Sequence, residues 1–177
     1  MRLSGYGIEL IRLEAEHLEL VRQWRNQEFV RTRMQFQEII EAPDQINWFG
    51  CLHPENDWYF VAAAADRPFG LFHIKNIDRN NLSGEAGGFV GHPETVESIL
   101  PALAILLLME FAFHTLQLET LEAKYHPDVI PIARMNEQMG YEVFLQEADG
   151  FVRARVGKAR FFQRAGKFIR AALKFRV

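Results

Sequence analysis

The sequence predicts an α/β (α+β) domain built on a mixed, mostly antiparallel central sheet with helices on both faces. Three strand-like runs follow one another between Trp58 and Val90 with only polar turns between them, which requires antiparallel pairing. The stretch from Ile99 to His114 is apolar almost throughout, the mark of a helix buried on all sides. A further strand and helix come after it, so the buried helix joins the meander to another strand of the same sheet. At 177 residues, 49% of them hydrophobic, the chain buries a real core and fits one compact domain better than two.

Ile8 to Leu13 interleaves Leu and Ile with polar residues and reads as the first strand. His17 to Arg25 has helical spacing, with Leu18, Val21 and Trp24 on one face, and Trp24, Arg25 and Asn26 close it. Pro43 suits the first turn of a short helix carrying Ile46, Trp48 and Phe49. Trp58 to Ala64 and Phe69 to Ile77 are strands separated by the turn residues Ala65 to Pro68; a polar turn from Asp78 to Gly84 leads to a third strand, Glu85 to Val90. Ser98 suits the N-cap of the long helix and Pro101 its first turn. Thr120 to Tyr125 is a strand, and Ile130 to Met139 is a helix stopped by Gly140, a natural residue for a left-handed cap. Tyr141 to Leu145 and Phe151 to Val156 form a closing hairpin, and an amphipathic helix runs from about Arg160 to Phe175. The expected division is a domain over residues 1–158 and a basic C-terminal helix over 159–177.

Composition removes several function classes. The single Cys51 rules out an internal disulfide or a cysteine-based zinc cluster, and a reducing, cytoplasmic setting is expected. No apolar run suits a signal peptide or a membrane span. The six histidines are scattered without ligand spacing, so no metal is expected. No serine stands in a nucleophile-elbow context. The net charge of -3 hides an asymmetry: every acidic residue precedes Phe151, and only basic ones follow. The tail's apolar stripe (Phe161, Phe162, Ala165, Phe168, Ile169, Ala172, Leu173, Phe175) opposes Arg164, Lys167, Arg170 and Lys174. Such a helix suits an anionic membrane, nucleic acid or an acidic partner. Packing on its own acidic domain, or on a second copy in a homodimer, is the favoured reading because the stripe is only a few turns long; no nucleic acid is expected.

Candidate binding residues emerge from local chemistry. The opening of the long helix points backbone donors and a positive dipole end outward, a place to hold an anion, yet Glu94 and Glu97 share that turn. Arg31 and Arg33, beside Met34 and Phe36, suit a nucleotide-sugar diphosphate held by paired guanidinium groups, or else form a solvated turn. His73, on a strand between Phe72 and Ile74, reads as a satisfied core imidazole or a substrate contact.

The chain resembles the GNAT superfamily of acyl-CoA N-acyltransferases, in particular the branch of ribosomal-protein N-terminal acetyltransferases and the amino-sugar-nucleotide acetyltransferases of pseudaminic acid synthesis. The residues that carry the resemblance are Leu10 to Leu13, Trp24 to Asn26, Ile77 and Asp78, Glu85 to Gly91, Glu110 to Phe113, Leu118 to Ala123 and Asn136 to Tyr141. The resemblance implies transfer of an acetyl group from acetyl-CoA to a small-molecule or peptide amine. It places main-chain contacts to the coenzyme at Phe89, Val90, Gly91, Ser98, Ile99 and Leu100, with Asp128 matching a coenzyme-contacting asparagine. It makes Glu85 the candidate base for the incoming ammonium, against a plain solvated carboxylate, and it puts Trp24, Arg25 and Asn26 in an acceptor pocket, against the favoured plain reading of a helix end with one buried Trp.

Two departures stand out. The places that relatives fill with Arg or Gln, Gly, and Gly or Ala fall at Glu94, Glu97 and Ile99, and a carboxylate there repels a phosphate by about 1 kcal/mol per exposed pair. Asn136 occupies the place of a tyrosine that protonates the leaving thiolate, and an amide is no acid. Doubtful affinity for acetyl-CoA follows. The alternative is a non-catalytic GNAT-fold binding or assembly module.

Overall fold

The computed structural model describes the backbone of residues 1–174 and side chains up to Lys167. In chain order the elements are β1 (Arg2–Gly5), β2 (Ile8–Arg12), a 3-10 turn (Ala15–His17), α1 (Leu18–Asn26), α2 (Glu28–Arg31), α3 (Ala42–Gly50), β3 (Trp58–Ala64), β4 (Arg67–Asp78), β5 (Ser83–Val90), α4 (Pro93–Val96), α5 (Leu100–His114), β6 (Thr120–Tyr125), α6 (Ile130–Met139), β7 (Glu142–Gln146), β8 (Val152–Gly157) and α7 (Lys158–Lys174). The strands form one sheet in the order β1-β2-β3-β4-β5-β6-β8-β7. Every neighbouring pair is antiparallel except β5 and β6, so the predicted mixed, mostly antiparallel sheet is the observed one.

Turn chemistry sets the meander. Ala65 and Asp66 both have positive φ, as a two-residue hairpin turn demands, so β4 begins at Arg67, earlier than the sequence suggests. Tyr6 and Gly7 make a second such turn and attach β1 to β2. The four residues of β1 were too few to show an alternating pattern.

Strand alternation then sorts side chains onto two faces. Phe60, Ala62, Phe72 and Ile74 meet α5, whose residues Leu103 to Met109 are all buried. A helix enclosed this way has no polar stripe to offer, which is why its sequence is apolar all round. Tyr59, Val61 and Leu71 face the other way and pack with Leu18, Val21 and Trp24 of α1. Trp24 is 2% exposed, and a Cβ on Gly91 would stand 2.4 Å from its ring atoms. Gly91 therefore lets α1 close directly on the end of β5.

Two details correct the sequence expectations. Pro93 opens a short α4 before the long helix, so Ile99 occupies the α5 N-cap and Ser98 stands one place earlier. Helix α7 begins at Lys158 without a linker after β8. Its Phe161 and Ala165 are 0% and 2% exposed in the main core, so its first turns pack on their own domain, the favoured reading of the tail. The stripe positions Phe168, Ile169, Ala172, Leu173 and Phe175, with the tail cations beyond Lys167, have side chains outside the described residues. No described helix is long and apolar enough to cross a membrane.

Candidate active site at the opening of the sheet

The parallel pair β5 and β6 is joined for only three residues, Ser83 to Glu85 against Thr120 to Glu122. Beyond that point β5 stays with β4 as far as Val90, and β6 stays with β8 as far as Tyr125. Each strand follows the twist of its other partner, and the sheet splits. The Gly91 amide donates to the Phe69 carbonyl at 2.7 Å, which fixes the alternation along β5. Ala86, Gly88 and Val90 consequently turn their N–H and C=O groups to the open side. Gly88 has to be glycine here, since a Cβ would lie 2.6 Å from both the Leu71 carbonyl and the Phe72 ring.

A cavity of about 600 Å³ runs through this gap. On the α1 face it is lined by Phe29, Arg33, Met34, His73, Lys75 and Glu85. On the α5 face it is lined by Val96, Glu97, Ser98, Pro101, Ile105, Tyr125, Arg134 and Asn136. Four cations (Arg33, Lys75, Lys124, Arg134) and two carboxylates (Glu85, Glu97) border it; Lys75 is paired with Glu85 and Lys124 with Glu147 and Asp149, which leaves Arg33 and Arg134 against Glu97.

The α1 half is built of paired charges. Lys75 Nζ lies 3.0 Å from Glu85 Oε1, across the β4–β5 register, and Asn76 Nδ2 donates to Glu85 Oε2 at 3.2 Å. Each oxygen of Glu85 keeps a second lone pair for a substrate proton. Nearby, Glu122 pairs with Arg155 at 2.6 Å, and Glu147 pairs with Arg153 at 2.6 Å and with Lys124. His73 lies between Tyr59, 4.9 Å away ring to ring, and the backbone of Gly87, where a Cβ would meet Nε2 at 2.9 Å. Although part of its ring borders the cavity, burial first and Lys75 second hold its pKa down to about 3, against the pull of Asp57. It is a neutral imidazole at physiological pH.

The α5 half is mostly apolar and holds one phenol of interest. Tyr125, at the free end of β6, stands beside Asn136, which is 5% exposed. Burial pushes the Tyr125 phenol up, and the Asn136 amide offsets part of that rise. The mouth of α5 lies at the other end of this half. Ser98 Oγ accepts the Leu100 amide at 3.2 Å while donating to the Thr95 carbonyl at 2.8 Å. The Leu103 amide donates to the Ile99 carbonyl at 3.1 Å, and Pro101 has no amide proton.

The cavity brings together Arg33, His73, Glu85, Phe89, Val90, Ser98 and Asn136 from the sequence-derived candidates. It does not bring in the others. Trp24 is core; Asn26 Nδ2 donates to the Ile40 carbonyl at 2.9 Å, and Asn26 Oδ1 accepts its amide. Gly91 has its amide on Phe69 and its carbonyl on Gln27 Nε2, and Ile99, Leu100 and Asp128 lie outside the lining. Arg25 and Arg31 hold the carbonyls of Phe36 and Gln37 at 2.6 and 2.7 Å, with Arg25 Nη1 and Arg31 Nε buried and unpartnered. Sequence alone missed Lys75 and Tyr125. Lys75 follows from the strand register opposite Glu85; Tyr125 had no sequence signal beyond its place at a strand end. Among the described residues no three His, Cys, Asp or Glu side chains are grouped to hold a metal ion.

No protein-family model matches the sequence, and no curated protein matches it. Solved structures do match. The spermidine N-acetyltransferase of Vibrio cholerae, solved with CoA and spermine, gives a TM-score of 0.79 at 16% identity, over 89% of this chain and 99% of its own. The aminoglycoside acetyltransferase AAC(6')-Ib, solved with coenzyme A, gives 0.76 at 13% identity, over 88% and 98%. A domain from Methanocaldococcus jannaschii DSM 2661 gives 0.76 at 14% identity, over 85% and 97%. At these identities the likeness is one of architecture, and the architecture of this chain is the GNAT-type fold of the N-acetyltransferases.

Proposed function

We propose that this chain is an N-acetyltransferase that moves an acetyl group from a CoA-type thioester to a primary amine. The observation that carries the reading is the split between β5 and β6, which joins a charged chamber on one face of the sheet to an apolar chamber on the other. An amine entering from the α1 face and a thioester entering from the α5 face meet at the free edge of β5. Amides on that edge, at Gly88 and Val90, are placed to polarise a thioester carbonyl. Glu85, held by Lys75 and Asn76, takes a proton from the ammonium, directly or through water. The freed nitrogen attacks the carbonyl carbon, the C–S bond breaks, the thiolate takes the Tyr125 hydroxyl proton, and the second proton shed by the acylated nitrogen returns through water to the Tyr125 phenolate, with Asn136 beside that hydroxyl. Asn136 thus stands next to the acid instead of being it.

The acceptor class that fits best is an amine carrying negative charge, such as an amino-sugar nucleotide; a protein N-terminus, with no negative charge of its own, comes second. Arg33 borders the chamber, and Glu85, its carboxylate, is already ion-paired, so a polyamine finds no open acidic site there. The test is thiol release from acetyl-CoA and acetyl-pantetheine with a panel of amino-sugar nucleotides, peptides, aminoglycosides and polyamines. Amine-dependent release is expected, greatest with the anionic acceptors; release with none of them overturns the reading. Glu85→Gln should lower turnover more at neutral than at high pH, where the amine is already free, and equal loss at both removes Glu85 as the base. A second reading, a non-catalytic binding module with the same fold, is favoured by the occupied amides at the mouth of α5. Acceptor binding without thiol release would establish it.

A further inference from the structure

The thioester chamber suits one part of coenzyme A and not another. A diphosphate sits at a helix N-terminus because free amides of the first turn point at it. In the first turn of α5 the Leu100 amide is taken by Ser98 Oγ, Pro101 has none, and the Leu103 amide is taken by the Ile99 carbonyl. Among the described residues this leaves Ala102 in that turn, and Ile99 just before it, with an amide to offer. Glu94 and Glu97 stand exposed on the same approach, with no cation paired to either among the described residues. The free edge of β5 is the opposite case. Ala86, Gly88 and Val90 present unpaired strand donors and acceptors beside the apolar Val96, Pro101 and Ile105. An uncharged chain with amide groups, such as pantetheine, pairs with such an edge as an added strand does.

Resting on the N-acetyltransferase reading, we propose that this chain recognises its donor by the acyl-pantetheine arm alone and gains nothing from the nucleotide diphosphate. Among the described residues Arg134 lines this chamber without an ion-pair partner, so it belongs in the test.

The experiment is calorimetric titration of the full chain with CoA, pantetheine and adenosine 3′,5′-bisphosphate. Pantetheine is expected to bind within about threefold of CoA, and the bisphosphate to give no heat at millimolar concentration. Replacing both acids, Glu94→Gln with Glu97→Gln, is expected to tighten CoA several-fold, on the order of the repulsion removed, with pantetheine unchanged. CoA binding about a hundredfold tighter than pantetheine overturns the proposal and leaves acetyl transfer standing. An Arg134→Ala variant that loses affinity for CoA but not for pantetheine also overturns it, since the diphosphate then has a seat on α6. No heat from either CoA or pantetheine overturns acetyl transfer itself, and this proposal with it.

Discussion

The two chambers that meet at the split in the sheet are built on different principles. On the α1 face, charges are arranged in pairs: Lys75 with Glu85 and Glu122 with Arg155 across strand registers, and Glu147, in the turn after β7, with Arg153. Strand pairing fixes the first two pairs within reach, so their geometry is a property of the sheet. On the α5 face the wall is mostly apolar, Tyr125 stands beside the buried Asn136, and the acids Glu94 and Glu97 lie on a short helix and turn outside the sheet. The rigid face is suited to proton transfer at a fixed carboxylate. The helical face is suited to holding a long, mostly uncharged arm.

The largest expected effect tests whether the α5 face supplies the acid. Tyr125→Phe should lower kcat by about 100-fold with little change in KM, the usual scale for losing a positioned proton donor. It should remove the pH limb that reports the phenol and leave the thermal midpoint in place. Adding Asn136→Tyr to that variant restores a phenol at the neighbouring wall position, and kcat should recover by tenfold or more, about 1.4 kcal/mol. Unchanged kcat in Tyr125→Phe would make the face purely a binding wall. A smaller effect, on stability instead of rate, is expected where α1 meets the end of β5. Gly91→Ala places a methyl group 2.4 Å from the Trp24 ring and should cost about 1–3 kcal/mol by overpacking. Its acceptor KM should stay near that of the parent, because Trp24 is core; a large KM change would return Trp24 to the acceptor chamber.

The contrast between chambers also explains what was legible in the sequence. The meander β3 to β5, the buried α5 and the α6 helix ending at Gly140 were readable, because alternation, all-round apolarity and a left-handed cap are local signals. Glu85 stood out through its place in the resemblance. Its partner Lys75 was hidden, because the pairing depends on the register of β4 against β5, displaced by a bulge between Lys75 and Asp78. The mouth of α5 was misjudged by one residue, because Pro93 starts a short helix that no periodicity announces. Tyr125 became visible only when β6 parted from β5, a feature of strand pairing that leaves no mark on one strand's own sequence.

The smallest effect concerns His73 and tests how dry the charged chamber is. The folded protein holds this imidazole neutral down to about pH 3, whereas the unfolded chain protonates it near its ordinary 6.5. Its folded pKa is depressed, so the unfolded state binds the extra proton between these values. Stability from this group is therefore complete above pH 6.5 and falls as pH drops towards 3, by up to about 1.4 kcal/mol per pH unit. Denaturant unfolding at pH 7, 6 and 5 should show that decline, and His73→Gln should flatten it. The neighbouring Tyr59 shares the cause, since burial raises its phenol well above the ordinary range, but it does not titrate in this window. A slope that survives His73→Gln would assign the decline to other groups and would mean that water reaches the imidazole. A wet chamber would weaken the Lys75–Glu85 pair to surface strength.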